Sequence, residues 1–145
     1  MFISQYRHTL DDKGRLVLPP KFRTNITPGS VITIGYEGCL TIYLADEWKR
    51  SVESLLSKPM TSVAVRKNMR VLMGNASEID VDKSGRVKIP DYLLSAAGIS
   101  KDVTIVGMGS IIEVWATDIW LKEQEKDKNE FEANAEQLAN LRSEF

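Results

Sequence analysis

The sequence predicts an α+β fold, mainly β with flanking helices, organised as two copies of one small unit packed about a pseudo-two-fold axis. Three observations carry this reading. A short block ending in proline is written twice, an alternation of apolar and polar residues leads into it, and proline and glycine frame a helix after it.

The repeated block is Asp11-Asp12-Lys13-Gly14-Arg15-Leu16-Val17-Leu18-Pro19, matched by Asp82-Lys83-Ser84-Gly85-Arg86-Val87-Lys88-Ile89-Pro90 at a constant offset of 71. Aspartate, glycine, arginine, the core-type aliphatic positions and proline coincide. With one residue inserted, Val31, Gly35, Asp46 and Trp48 then fall on Val103, Gly107, Asp118 and Trp120 at an offset of 72, and Tyr43 falls on Trp115. Two blocks matching in the same order mark an internal repeat rather than a coincidence.

Each copy opens on an alternating segment such as Glu78-Ile79-Asp80-Val81-Asp82, whose period of two predicts a half-buried strand over 78–82. Gly14 and Gly85 can take positive φ without steric cost, so the chain can reverse there into the short strands 16–18 and 87–89, leaving Arg15 and Arg86 beside hairpin tips. Pro90 suits the first position of a helix and Gly98 the residue just past its end, with Pro19-Pro20 a less regular version. Two β-rich runs follow in each copy, 31–34 with 40–44 and 103–106 with 111–115. A four-stranded unit of this size buries too little apolar surface to stand alone, so the copies are expected to share one core.

Between the copies, Asp46 is expected to cap a helix carrying Trp48, Val52, Leu55 and Leu56, with Pro59 stopping it. A second helix carries Val65, Met69, Leu72 and Met73 at the same spacing; these stripes read as core or subunit contact rather than a cofactor site. Asp118 is expected to cap a final helix with Trp120, where Phe131, Ala135 and Leu138 form a narrow apolar seam. The boundaries drawn are a first unit at 5–47, a helical connection at 48–75, a second unit at 76–119 and a helical tail at 120–145.

Composition narrows the function. The 145 residues are 43% hydrophobic and 27% charged, the balance of a globular domain, and no run approaches the roughly 20 apolar residues of a bilayer span. No secretory leader is visible at the N-terminus, so a cytoplasmic protein with no membrane partner is expected. Cys39, the only cysteine, reads as a small buried residue rather than a metal ligand or disulfide partner. The net charge of −1 conceals an uneven distribution, because residues 122–145 hold seven acidic and four basic side chains, leaving +2 on the remainder. Residues 1–23 hold Arg7, Lys13, Arg15, Lys21 and Arg23 against Asp11 and Asp12, and residues 49–70 hold six cations against Glu53.

An enzyme is not expected. His8 is the only histidine, the pairs Asp80/Asp82 and Asp11/Asp12 lack evident acid–base or cation partners, and no phosphate-cradling glycine-rich motif is present. No cofactor, metal or small-molecule substrate is indicated.

The two Asp-x-x-x-Arg blocks, their prolines and the Tyr43/Trp48 and Trp115/Trp120 segments together resemble the MraZ family of bacterial regulators, which carry two SpoVT/AbrB-type units in one chain. The likeness covers nearly the whole length. It implies a swapped-hairpin β-barrel, a nucleoid-associated transcriptional regulator of the division and cell-wall gene cluster, binding to repeated promoter boxes, and assembly into a ring-like homo-oligomer. It also implies a DNA-binding surface made by Asp11 and Arg15 and by Asp82 and Arg86. The second copy departs from the first in having Lys83-Ser84 where the first has Asp12-Lys13.

On chemical grounds Arg15 and Arg86 offer flat forks of donors for guanine or phosphate. Lys13 and Lys83 are point charges suited to phosphate. Asp11 and Asp82 orient the turn or the arginine, since a carboxylate facing phosphate is repelled. The competing readings are a purely structural Asp–Arg ion pair, an AbrB-like antitoxin that autoregulates, and a non-enzymatic scaffold.

Overall fold

A computed structural model describes residues 1–141. Its elements run β1 Gln5–Thr9, β2 Arg15–Val17, α1 Pro20–Arg23, β3 Val31–Ile34, β4 Leu40–Tyr43, α2 Ala45–Leu56 and α3 Val63–Gly74. The second copy continues with β5 Ser77–Glu78, β6 Arg86–Lys88, α4 Asp91–Ala96, β7 Asp102–Met108 and β8 Ile111–Ala116, followed by α5 Thr117–Asn129 and α6 Phe131–Leu138. Each copy thus has the order strand, strand, short helix, strand, strand.

The strands form a six-stranded antiparallel sheet, β1-β7-β8-β4-β3-β5, and a separate two-stranded ribbon, β2-β6. The first strand of each copy pairs with the other copy: β1 lies on β7 and β5 on β3. This is the swapped-hairpin arrangement. The sheet does not close on itself, because β1 and β5 are its two edges, and the ribbon lies apart from it. The pseudo-two-fold axis passes between β4 and β8, where Leu40 faces Val114 and Ile42 faces Ile112, and through the ribbon, where Leu16 faces Val87.

One continuous core joins the two copies. Leu16, Leu18, Ile32, Leu40 and Ile42 from the first copy and Val87, Ile89, Leu93, Ile105, Ile112 and Val114 from the second are all fully buried in it. At roughly 1.5–3 kcal/mol for each fully buried large aliphatic, this shared interior is the main force holding the copies together. Phe22 of α1 adds edge-on contacts to Phe2 and Tyr6, with ring centroids 5.1 and 5.3 Å apart. On the opposite face of the sheet a smaller cluster gathers Cys39, Val106, Trp115 and Trp120. The aligned aromatic pairs meet in the same way in both copies: Tyr43 packs on Trp48 at 5.3 Å and Trp115 on Trp120 at 5.4 Å.

Several local expectations need correction. The strand foreseen over 78–82 is paired with β3 only at Ser77 and Glu78, followed by one amide bond from Ile79 to Ser30 O and an isolated bridge between Val81 and Val87. Its would-be partner chain turns away at residues 27–30, where Ser30 N–H bonds back to Thr27 O and Pro28 has no N–H to offer. Ile79 is nevertheless buried, so the alternation recorded burial rather than hydrogen bonding.

Pro90 is the N-cap of α4 rather than its first helical residue, while Pro20 does occupy the first turn of α1. Gly98 stands just past α4 as expected, and the bonds Gly98 N→Ser95 O and Ile99 N→Leu94 O complete a Schellman ending. Asp46 and Asp118 cap nothing by their side chains. The strands run straight into α2 and α5, so Leu44 and Ala116 are the cap residues and each aspartate lies in the first turn, where it can favour the helix dipole. No residue of α2 or α3 is buried within the chain, and the seam residues Phe131 and Leu138 of α6 are exposed.

Candidate nucleic-acid interface

Each Asp-x-x-x-Arg block folds into a hairpin that its own aspartate holds shut. Asp11 Oδ1 accepts the amides of Lys13 and Arg15, both at 2.9 Å, and its Oδ2 accepts Arg15 Nε at 2.6 Å. Asp82 repeats this, with Oδ1 on the amides of Ser84 and Arg86 at 2.9 Å and Oδ2 on Arg86 Nε at 2.9 Å. The spacing follows from the geometry. An aspartate side chain reaches amides two and four residues on only if the chain turns tightly between them, and Gly14 and Gly85 supply that turn at φ 74° and 77°.

The amide of Arg15, its guanidinium and the amide of Lys13 hold the Asp11 carboxyl down at about 2, against the opposing effect of burial. Asp82 is lowered for the same reasons, led by the amide of Arg86. Both carboxylates are therefore ionised partners of an arginine throughout the physiological range.

The ribbon brings the two hairpins into one site. Arg15 pairs with Lys88, Leu16 with Val87 and Val17 with Arg86. Because side chains alternate along a strand, Leu16 and Val87 enter the core, and Arg15, Val17, Arg86 and Lys88 share the outward face. Arg86 Nη1 lies 3.7 Å from Asp11 Oδ2, so the arginine of the second tip adjoins the aspartate of the first. Each tip is also pinned by the other copy, since Ile89 N–H donates to Gly14 O at 2.9 Å and Leu18 N–H donates to Gly85 O at 3.0 Å.

All six residues singled out in the sequence, Asp11, Lys13, Arg15, Asp82, Lys83 and Arg86, lie in these two turns. Both arginines remain partly exposed, at 31% and 30% of their side chains. Lys13 and Lys83 are exposed and form no ion pair among the described residues.

Two cations were not singled out. Lys88 reaches across from the second copy, its Nζ bonded to the Lys13 carbonyl and lying over Gly14. Arg23 reaches from α1 so that its guanidinium lies over Gly85. Lys88 was recoverable from its position two residues beyond Arg86 on a strand of period two. Arg23 had only its place in a basic run, because nothing local says which glycine a helix will cover.

The other titratable candidates are elsewhere. His8 is half-buried on β1, and Asp12 and Asp80 are exposed without hydrogen-bonded partners among the described residues. Cys39 is buried on the far face of the sheet, where loss of water and the nearby Glu113 push its thiol well above the ordinary range. Burial also raises Glu113, whose Oε1 accepts Trp115 Nε1 at 3.0 Å. This cluster belongs to the smaller core, and none of its hydrogen bonds among the described residues involves a tip residue. No helix among the described residues is long and apolar enough to cross a membrane.

A family model described as "MraZ protein, putative antitoxin-like" matches the chain twice, over residues 1–71 and 72–142. Three proteins named Transcriptional regulator MraZ are each 39% identical over 141 residues, covering 97% of this chain and 99% of the relative. They come from Syntrophomonas wolfei subsp. wolfei, Heliobacterium modesticaldum and Caldanaerobacter subterraneus subsp. tengcongensis.

Proposed function

The chain belongs to the MraZ family, and we propose that it is a sequence-specific DNA-binding transcriptional regulator that presents its β2–β6 ribbon to the major groove. The observation that carries this reading is the pair of arginines on the outward face of the ribbon, each held by an aspartate through Nε. An arginine fixed at Nε still offers its two terminal Nη groups as a fork, which matches guanine O6 and N7 or a phosphate. A two-stranded ribbon is also narrow enough for the major groove, which is about 12 Å wide.

Holding Asp and Arg as an ion pair does not compete with this role; it prepares it. The carboxylates are consumed in bonding to their own turns and, for Asp11, also in facing Arg86 of the other tip, so they orient the forks without facing a phosphate. Lys13 and Lys83 supply phosphate contacts that set register and affinity.

The targets are repeated boxes in the promoter region of the division and cell-wall gene cluster, read by a ring-like homo-oligomer in the nucleoid. Exposed apolar residues on the helices, Val63 and Val71 of α3 and Phe131 and Leu138 of α6, support self-association. Linked tips on one assembly would gain affinity on repeated boxes through high effective concentration, which compensates for a net charge that is not basic. The test is a salt-titrated binding assay on the DNA upstream of the chain's own gene against a scrambled duplex. Preference for the upstream DNA with a steep salt dependence is expected; equal binding to both at all salt concentrations rejects sequence-specific regulation.

The words "antitoxin-like" in the matching family's description favour one further reading, in which the same chain also neutralises a toxic partner protein. Co-expression that rescues cells from a toxic neighbouring gene product would separate this from regulation alone.

A further inference from the structure

We infer that Lys88 and Arg23 are DNA-contacting cations supplied across the pseudo-two-fold, one to each hairpin tip, and that Arg23 makes the second tip the more sequence-selective. The inference rests on the DNA-binding reading above and adds residues and a division of labour to it.

The two copies break their symmetry in a compensating way. At an offset of 71, Lys88 corresponds to Val17 and Arg23 corresponds to Leu94. The first tip therefore meets Lys88 and Leu94, and the second meets Arg23, with Val17 paired to Arg86 on the ribbon beside it. Gly14 has both the Lys88 ammonium and Leu94 Cδ1 within van der Waals reach of where a side chain would start. Gly85 has the Arg23 guanidinium in that place instead. Each tip thus receives one cation from the other copy, delivered by a strand in one case and a helix in the other.

Among the described residues neither cation is spent on a carboxylate. Lys88 bonds only to the Lys13 carbonyl, and the Arg23 guanidinium makes no hydrogen bond or ion pair to a protein acceptor among the described residues. A cation held beside Arg15 or Arg86 on an exposed surface, opposed only by carboxylates already bonded to their own turns, is placed for an anionic ligand. The chemistry of the two tips then differs. The first carries one guanidinium with two ammonium groups, Arg15 with Lys13 and Lys88, a set suited to phosphates. The second carries two guanidinium forks with one ammonium, Arg86 and Arg23 with Lys83, a set that can grip a base edge as well as the backbone.

The repeat supplies the test variants. Lys88→Val and Arg23→Leu install at each position the residue that the other copy already accommodates there, and Lys88→Gln and Arg23→Lys are gentler partners should either variant melt early. Each full-length chain is titrated with the duplex upstream of its gene and with a scrambled duplex over a range of salt, alongside a thermal melt. Lys88→Val and Lys88→Gln are expected to weaken both duplexes alike and to lower the slope of log affinity against log salt by about one for each phosphate no longer neutralised. Arg23→Leu is expected to narrow the ratio of upstream to scrambled binding by about tenfold, and Arg23→Lys to restore the salt slope without restoring that ratio.

Unchanged affinity and slope in folded Lys88 variants and unchanged affinity in folded Arg23 variants would overturn the inference while leaving the DNA-binding reading intact. Equal weakening of both duplexes by Arg23→Leu overturns the assignment of selectivity to the second tip. Failure of the unaltered chain to bind either duplex overturns both readings together.

Discussion

The amide of Ile89 donates to the carbonyl of Gly14 at 2.9 Å, and the amide of Leu18 returns the same bond to Gly85 at 3.0 Å. Each arginine-bearing turn is therefore fastened to a strand end of the other copy. A tip cannot be displaced without disturbing the ribbon that leads to its counterpart, which is why the two behave as one surface rather than two appendages.

That surface is separable from the core beneath it. The double variant Arg15→Ala/Arg86→Ala removes two partly exposed, outward side chains and leaves Leu16 and Val87 in place. Circular dichroism and the thermal midpoint are expected to show a folded chain. Affinity for the upstream duplex is expected to fall by at least tenfold, since one good bidentate contact is worth about 1–3 kcal/mol. Undiminished binding by the folded double variant would sink the role assigned to the arginines.

Leu16→Ala should do the reverse. Leu16 is fully buried on the inner face of the ribbon opposite Val87, so its truncation opens a cavity where the two copies meet. A loss of about 2–5 kcal/mol in denaturant unfolding is expected, with DNA affinity preserved under conditions where the chain remains folded.

The two turn glycines are expected to differ. Alanine at either position takes on a left-handed backbone that side chains disfavour, at a cost of about 1–3 kcal/mol. At Gly14 the methyl meets the flexible Lys88 Nζ at 3.0 Å, which can swing aside, and the Ile89 carbonyl oxygen at 3.3 Å, which is backbone and cannot. At Gly85 the new methyl collides with the Arg23 guanidinium and with Arg23 Cδ, 2.9 Å away. Both variants should therefore lose stability chiefly through the left-handed backbone, and Gly85→Ala should in addition push the Arg23 side chain off its tip; a denaturation midpoint equal to that of the unaltered chain would show that the turns relax freely.

Acid should loosen the tips only far below neutrality. A carboxyl lowered on folding contributes stability that is fully present above its unfolded value of 3.8 and is lost as pH falls through its folded value, which is about 2 for Asp11. Titration of the Asp11 carboxyl by NMR should give a midpoint near 2. DNA binding should then be flat between about pH 5 and pH 8 as far as these aspartates are concerned. A midpoint for Asp11 at or above 3.8 would mean that the turn does not hold its charge in solution.

Much of this was legible in the chain itself, and the reason is repetition. The Asp-x-x-x-Arg spacing specifies a turn closed by its own side chain, Gly14 and Gly85 specify the reversal, and Leu16 and Val87 specify which face turns inward. These are interactions between residues a few positions apart, so a sequence contains them. Writing them twice also revealed that two such units must share a core.

What the tertiary structure decided were the relations between distant residues. It exchanged the first strands, so that β1 lies on β7 and β5 on β3, and it paired Arg15 with Lys88. It shortened the strand expected at 78–82, because the partner chain turns at Pro28, and it moved the helix caps to Leu44 and Ala116, because strands run directly into the helices. It also laid Arg23 over Gly85, a contact between a helix of one copy and a turn of the other. Local chemistry defines what each tip is made of; only the packing of the two copies defines which cations stand beside it.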